Sequence, residues 1–238
     1  KEGLILVERA PDQTKRVYLR AMYVVVSELA SLIVRISAAG HAGTMGSQDV
    51  KDASRWAGVD LTQEQESAVI VGLSRGISVI TGGPGTGKTT LVKVLVRAAK
   101  ERGAHYALAS PTGRAAKRLS EATGAEAKTL HRLLEYNPAE GRFLRDASNP
   151  LEGDGLVVDE ASMVDVHLAL ALLIAIPVDR PFSIVFVGDA QQLPSVGPGI
   201  FLADIISSGL APVVALQRIH RQADGSGILT AASDILAG

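Results

Sequence analysis

An α/β domain, with a mostly parallel sheet between two layers of helices, is the fold class this sequence predicts. Largely apolar runs at 77–81, 104–109, 156–158, 183–187 and 213–216 alternate with stretches of helical periodicity. That alternation marks strands buried on both faces. Polar or glycine-rich residues follow each of the first four runs: Gly82-Gly83, Ser110-Pro111-Thr112, Asp159-Glu160 and Gly188-Asp189. Ligands of such sheets bind at the carboxyl ends of the strands, so one site is expected from several of them. At 238 residues, 47% hydrophobic, the chain has ample material for a core. The absence of cysteine excludes a disulfide framework and a thiolate metal site. A net charge of -1 sets up no global field, so a surface for nucleic acid must be local. There is no secretory-signal pattern, and the absence of cysteine suits a cytoplasmic protein. The chain opens on Lys1 and reads as part of something longer.

Taken in order, residues 1–60 read as an N-terminal helical segment and linker, and 61–238 as the main domain. Residues 17–37 are strongly apolar, but Arg20, Glu28 and Arg35 interrupt them. No unbroken run reaches the ~18–20 residues of a membrane span, so a buried or interface helix is expected and no membrane partner. Residues 37–47 are small and glycine-rich and read as a linker; His41 in it has no ligand-like neighbours. A helix follows from Thr62 towards Leu73. Thr62 with Gln65 three residues on completes a capping box. The Gln65 amide, a donor and an acceptor together, equally suits reading an adenine edge. Both readings stand.

Gly82-Gly83-Pro84-Gly85-Thr86-Gly87-Lys88-Thr89-Thr90 fits G-x-x-x-x-G-K-[ST] between a buried strand and a helix. The spacing has a chemical reason. Backbone N–H groups must wrap a triphosphate, which requires residues that tolerate positive φ and carry no bulk. Lys88 then reaches the β/γ-phosphates, the Thr89 hydroxyl has a place on Mg²⁺, and the helix start faces the anion. The chain is expected to bind a nucleoside triphosphate.

Asp159-Glu160 at the end of a buried strand is what a Mg²⁺-nucleotide site needs. One acid holds the metal and the other accepts a proton from the attacking water. Two such acids also occur in ordinary solvated turns. Gly188-Asp189-Ala190-Gln191-Gln192 is a polar strand exit in which Gln192 can reach a γ-phosphate and Asp189 can anchor the turn. After the last strand, Arg221 offers a planar fork to the γ-phosphate, or belongs to a solvated basic turn. From Arg97 to Arg145, ten Lys and Arg stand against five Glu and no Asp. Those cations, with the Ser110 and Thr112 hydroxyls, suit phosphate contacts along a strand. Lys117 and Arg118 equally suit a solvated helix face. Residues 135–154 break the alternation. Turn chemistry at Asn137-Pro138-Ala139-Glu140-Gly141 predicts a small β-hairpin there, a strand-parting device or a decorative loop.

In this order, the phosphate loop, Pro111-Thr112-Gly113-Arg114-Ala115-Ala116, Asp159-Glu160-Ala161-Ser162-Met163, the Gly188 to Gly197 stretch and Arg221-Gln222 resemble the first motor domain of RecD-like superfamily-one DNA helicases. The resemblance covers Leu61 to about Gly238 and implies a RecA-like P-loop domain. It implies a 5′→3′ translocase on single-stranded DNA at a fork, driven by ATP and Mg²⁺, in DNA repair or recombination. Residue by residue, it gives Gln65 the adenine, the loop from Gly82 to Thr90 the nucleotide, and Thr89 and Asp159 the metal. It makes Lys88, Glu160, Gln192 and Arg221 the catalytic set. It gives Pro111, Thr112, Gly113 and Arg114 contacts to the DNA backbone, with His131 and Arg132 in the next DNA motif. His131 equally suits a packed helix residue. The family also implies a second RecA-like domain that closes over the nucleotide, and nuclease or repair subunits as partners. No stretch of this sequence supplies that second domain, so the chain alone is expected to be poorly active. A nucleotide-gated DNA-binding scaffold is the alternative; a small-molecule phosphotransferase would not need Gln192 or Arg221.

Overall fold

The computed structural model describes residues 4–10, 13–38, 45–74 and 76–217. In chain order the elements are β1 (Ile5–Arg9), β2 (Lys15–Leu19), α1 (Arg20–Ala38), α2 (Ser47–Ala57) and α3 (Gln63–Ser74). Then come β3 (Ile77–Gly82), α4 (Lys88–Glu101), β4 (Tyr106–Ser110), α5 (Gly113–Thr123), β5 (Ala127–Thr129) and α6 (Leu130–Leu133). A hairpin of β6 (Tyr136–Asn137) and β7 (Arg142–Phe143) leads to β8 (Gly155–Val158) and a 3-10 turn (Ala161–Met163). The last elements are α7 (Val166–Ile174), β9 (Ser183–Gly188), α8 (Phe201–Ser208) and β10 (Val213–Leu216).

Six strands form one sheet in the order β10-β3-β9-β8-β4-β5, every pair parallel. Side chains alternate across it with period two. Ile77, Val79, Leu156, Val158, Ile184 and Phe186 point to the face covered by α1, α7 and α8. Ile80, Leu108, Val157, Val185 and Val187 point to the face covered by α2, α3, α4 and α5. This is the RecA-like P-loop architecture. The hairpin expected within 135–154 is present, with Tyr136 opposite Phe143 and Asn137 opposite Arg142.

The N-terminal segment departs from expectation. It begins with an antiparallel hairpin, β1 on β2, rather than helix alone. Leu6 and Tyr18 turn inwards, and Tyr18 meets Tyr23 of α1 edge to face at 5.4 Å. The opposite face carries Ile5, Val7, Val17 and Leu19, all more than half exposed. By length and composition α1 is apolar enough to cross a bilayer. Its Leu29, Leu32, Ile33 and Ile36, at helical spacing, are nevertheless buried in the core beside α7. Helix α2 packs against α4, with Val50 and Ala53 buried and the Arg97 guanidinium 4.1 Å from the Trp56 ring centroid. Helices α1 and α2 cover opposite faces of the same sheet. Most of the expected linker, including His41, lies outside the described residues.

Candidate nucleotide site and its neighbouring nucleic-acid interface

The loop between β3 and α4 owes its shape to its glycines. Gly85 and Gly87 sit at φ 80° and 83°, and Gly87 leads directly into α4. A Cβ on Gly82 would lie 2.7 Å from Thr86 Oγ1 and 3.0 Å from both Cβ and the carbonyl oxygen of Leu216. Within the loop, Thr86 Oγ1 donates to the Gly83 carbonyl at 2.9 Å. Lys88 Nζ donates to the carbonyls of Gly82 at 2.6 Å and Gly83 at 2.9 Å.

Gln65, 4% exposed, holds the loop from below. Its Oε1 accepts from the Thr62 N–H at 3.0 Å, and Thr62 Oγ1 accepts from the Gln65 N–H at 3.3 Å, so the capping box is present. Its Nε2 donates to the Thr86 carbonyl at 3.1 Å. One amide thus ties the start of α3 to the phosphate loop, a contact with no local signal in the sequence.

A cavity of about 460 Å³ opens over the loop, lined by Pro84, Gly85, Thr86, Gly87, Lys88, Thr89, Thr90, Asp159, Glu160 and Gln192. Three strand ends meet there: β3, β8 and β9. Gly82, Gly83 and Gln65 stand behind this lining and shape it. Burial pushes the Asp159 carboxyl up to about 6; the Glu160 N–H hydrogen bond opposes this, the Glu160 charge adds to it and Lys88 lowers it least. Glu160 is in the left-handed region at φ 56°, ψ 41°, a strained conformation for a residue with a Cβ. Asp189 is buried, and its Oδ1 accepts from the Gln191 N–H at 3.0 Å while its carbonyl accepts from the Gln192 N–H at 3.2 Å. It anchors the turn that carries Gln192. Arg221 lies outside the described residues.

The donor set fits Mg²⁺. Thr89 and Asp159 are hard oxygen donors on one cavity wall, and Asp159 is a half-buried acid beside a second acid, which a dication would relieve. Two protein ligands suffice for Mg²⁺ when phosphates and water complete the octahedron. Among the described residues no cluster of three or more His, Asp or Glu stands ready for a metal by itself.

A second cavity, of about 340 Å³, shares Thr89, Asp159, Glu160 and Gln192 with the first. Thr112, Arg114, Ala115, Arg118, Leu119 and Met163 complete its wall. Thr112 caps α5, its Oγ1 accepting from the Ala115 N–H at 3.2 Å. Thr129 caps α6 in the same way through the Arg132 N–H at 3.2 Å. Parallel pairing of β4 with β5 sets Ser110 opposite Thr129, so the two caps stand side by side. Pro111 and Thr112 are half-buried, while Gly113, Arg114, His131 and Arg132 are exposed. Ser110 corrects the sequence reading: it is fully buried at the end of β4 and its hydroxyl cannot meet a phosphate. His131 contacts Tyr136 and Phe143 of the hairpin, each at 5.6 Å between ring centroids. Arg118, four residues and one helical turn after Arg114, lines this cavity rather than standing on a purely solvated helix face.

Comparison with known proteins agrees with this geometry. Residues 65–198 match the family model described as an AAA domain. The chain is 37% identical over 235 residues to the ATP-dependent RecD2 DNA helicase of Deinococcus radiodurans, covering 99% of this chain and 32% of that protein. It is 41% identical over 209 residues to the RecBCD enzyme subunit RecD of Mycolicibacterium smegmatis, covering 77% of this chain and 37% of that one. The chain therefore spans about a third of the length of these curated relatives. The Pif1 helicase of Candida albicans shares the fold, with a TM-score of 0.56 at 24% identity over 74% of this chain and 44% of that one.

Proposed function

Because this chain belongs to the AAA domain family and is a RecD-like helicase motor domain, we propose that it hydrolyses ATP to drive 5′→3′ movement along single-stranded DNA. One observation carries the reading: Lys88, Thr89, Asp159, Glu160 and Gln192, from three separate strand ends, line a single cavity. Lys88 exchanges its two carbonyl partners for the β- and γ-phosphate oxygens. Thr89 and Asp159 hold Mg²⁺, which neutralises developing phosphate charge when bound. Glu160 accepts the proton of the attacking water, and Gln192 contacts the γ-phosphate or that water. Arg221 completes the catalytic set. Pro111, Thr112, Gly113, Arg114, His131 and Arg132 hold the DNA backbone, and Gln65 positions the loop, reading the adenine only by releasing its bond to Thr62 or Thr86. The rest of the protein, with a second motor domain, closes over the nucleotide, and nuclease or repair subunits are its partners.

The test uses the intact protein. ATPase should rise with single-stranded DNA, and a duplex should be unwound from a 5′ overhang but not from a 3′ overhang. DNA binding that responds to nucleotide, without DNA-stimulated turnover, would replace the motor with a scaffold.

A further inference from the structure

The second cavity adjoins the nucleotide site through Thr89, Asp159, Glu160 and Gln192. Its far wall is α5, where Arg114 and Arg118 stand one helical turn apart. Neither has a hydrogen-bond or ion-pair partner among the described residues. Several other cations of the 97–145 stretch are paired: Arg97 with Glu101, Arg142 with Glu140, Arg145 with Glu135, and Lys117 with Glu121. Two unpaired guanidinium groups thus share a cavity wall with Asp159 and Glu160. Cleavage at the first cavity would leave a nucleoside diphosphate on the loop and an inorganic phosphate beyond it, next to those two acids. Carboxylates repel a phosphate anion, whereas a guanidinium fork matches its oxygens.

We infer that Arg118, supported by Arg114, forms a transient site for the released inorganic phosphate, which leaves through this second cavity. The inference rests on the ATPase reading above and adds the product's route to it. The probe is radiolabelled inorganic phosphate, titrated against the ADP complex of the intact protein. Arg118→Ala should weaken its binding about tenfold, the loss of one charge-assisted contact. Arg118→Lys should recover part of that loss, and Lys117→Ala should match wild type. Release of phosphate after a single turnover, followed with a fluorescent phosphate reporter, should slow in Arg118→Ala. Its affinity for oligothymidylate should stay at the wild-type value. Unchanged phosphate binding in Arg118→Ala would overturn the inference, and so would a loss confined to oligothymidylate, which would assign Arg118 to the DNA backbone. A wild-type protein that cleaves no ATP would overturn the ATPase reading itself, a result distinct from either.

Discussion

Burial, with the Glu160 charge beside it, raises the Asp159 carboxyl to about 6, so at neutral pH it is charged where charge is disfavoured. An aspartate in an unfolded chain ordinarily titrates at about 4. Between these values the folded state binds the extra proton, so this group's destabilising effect is full above pH 6 and fades as pH falls towards 4. Without Mg²⁺ and nucleotide, Asp159→Asn should therefore stabilise the protein at pH 7.5 by about 2 kcal/mol, roughly 4–8 °C in Tm. At pH 4.5 the gain should shrink to about a third of that and vanish only below about pH 3.5; thermal melts across this range check it. Glu160→Gln should keep nucleotide binding and lower kcat about 10²–10⁴-fold, as expected for removal of a general base. Gly82→Ala should destabilise by about 1–3 kcal/mol and weaken ATP binding, since its Cβ collides with backbone and side chain alike. Lys88, Asp159 and Gln192 were legible because loop spacing and strand ends name them. The Gln65 bond to Thr86 was not, because it joins residues 21 apart through a backbone carbonyl that any residue would supply.

Among the elements, the β6–β7 hairpin owes its stability to its base rather than its two-residue strands. Arg145 binds Glu135 at 2.8 Å, the Pro150 carbonyl at 3.1 Å and Glu152 at 3.3 Å. Those partners raise its pKa further, with the Glu135 hydrogen bond the leading cause. Tyr136 and Phe143 pack together at 5.1 Å and against His131, so the hairpin is fixed to α6, beside the Thr129 cap. If this hairpin parts the duplex, deleting residues 137–145 in the intact protein should abolish unwinding and spare DNA-stimulated ATPase. Equal loss of both would make it a structural part of the motor instead. The hairpin was readable from its Asn-Pro and Gly turn residues. The β1–β2 hairpin was not: Lys15–Leu19 runs into α1 without a break, so Val17 and Leu19 merge with the apolar stretch of the helix that follows. Helix α2 was missed because its Val50 and Ala53 are a short apolar stripe in a polar segment.

At the scale of the whole molecule, periodicity identifies the strands but not their order. That β3 lies beside β9 and β10, with β9 between the loop strand and β8, is a result of crossover packing that no local pattern encodes. The order matters because it brings Lys88 to Asp159 and Glu160. Among the described residues lining the nucleotide cavity, however, Lys88 is the one cation. Phosphoryl transfer spreads negative charge over the γ-phosphate oxygens, and an arginine supplied there is typically worth about 10³–10⁵ in rate. Arg221 and the second motor domain are the proposed sources of that charge. The 238-residue chain by itself should bind MgATP weakly and turn it over at least about 10³-fold more slowly than the intact protein with single-stranded DNA. Arg221→Ala in the intact protein should lower kcat towards the same level while leaving ATP affinity nearly unchanged. Equilibrium dialysis and steady-state ATPase on the three proteins test this directly. Full turnover by the 238-residue chain would mean that the cavity's own residues are sufficient, and that closure by further domains serves movement rather than cleavage.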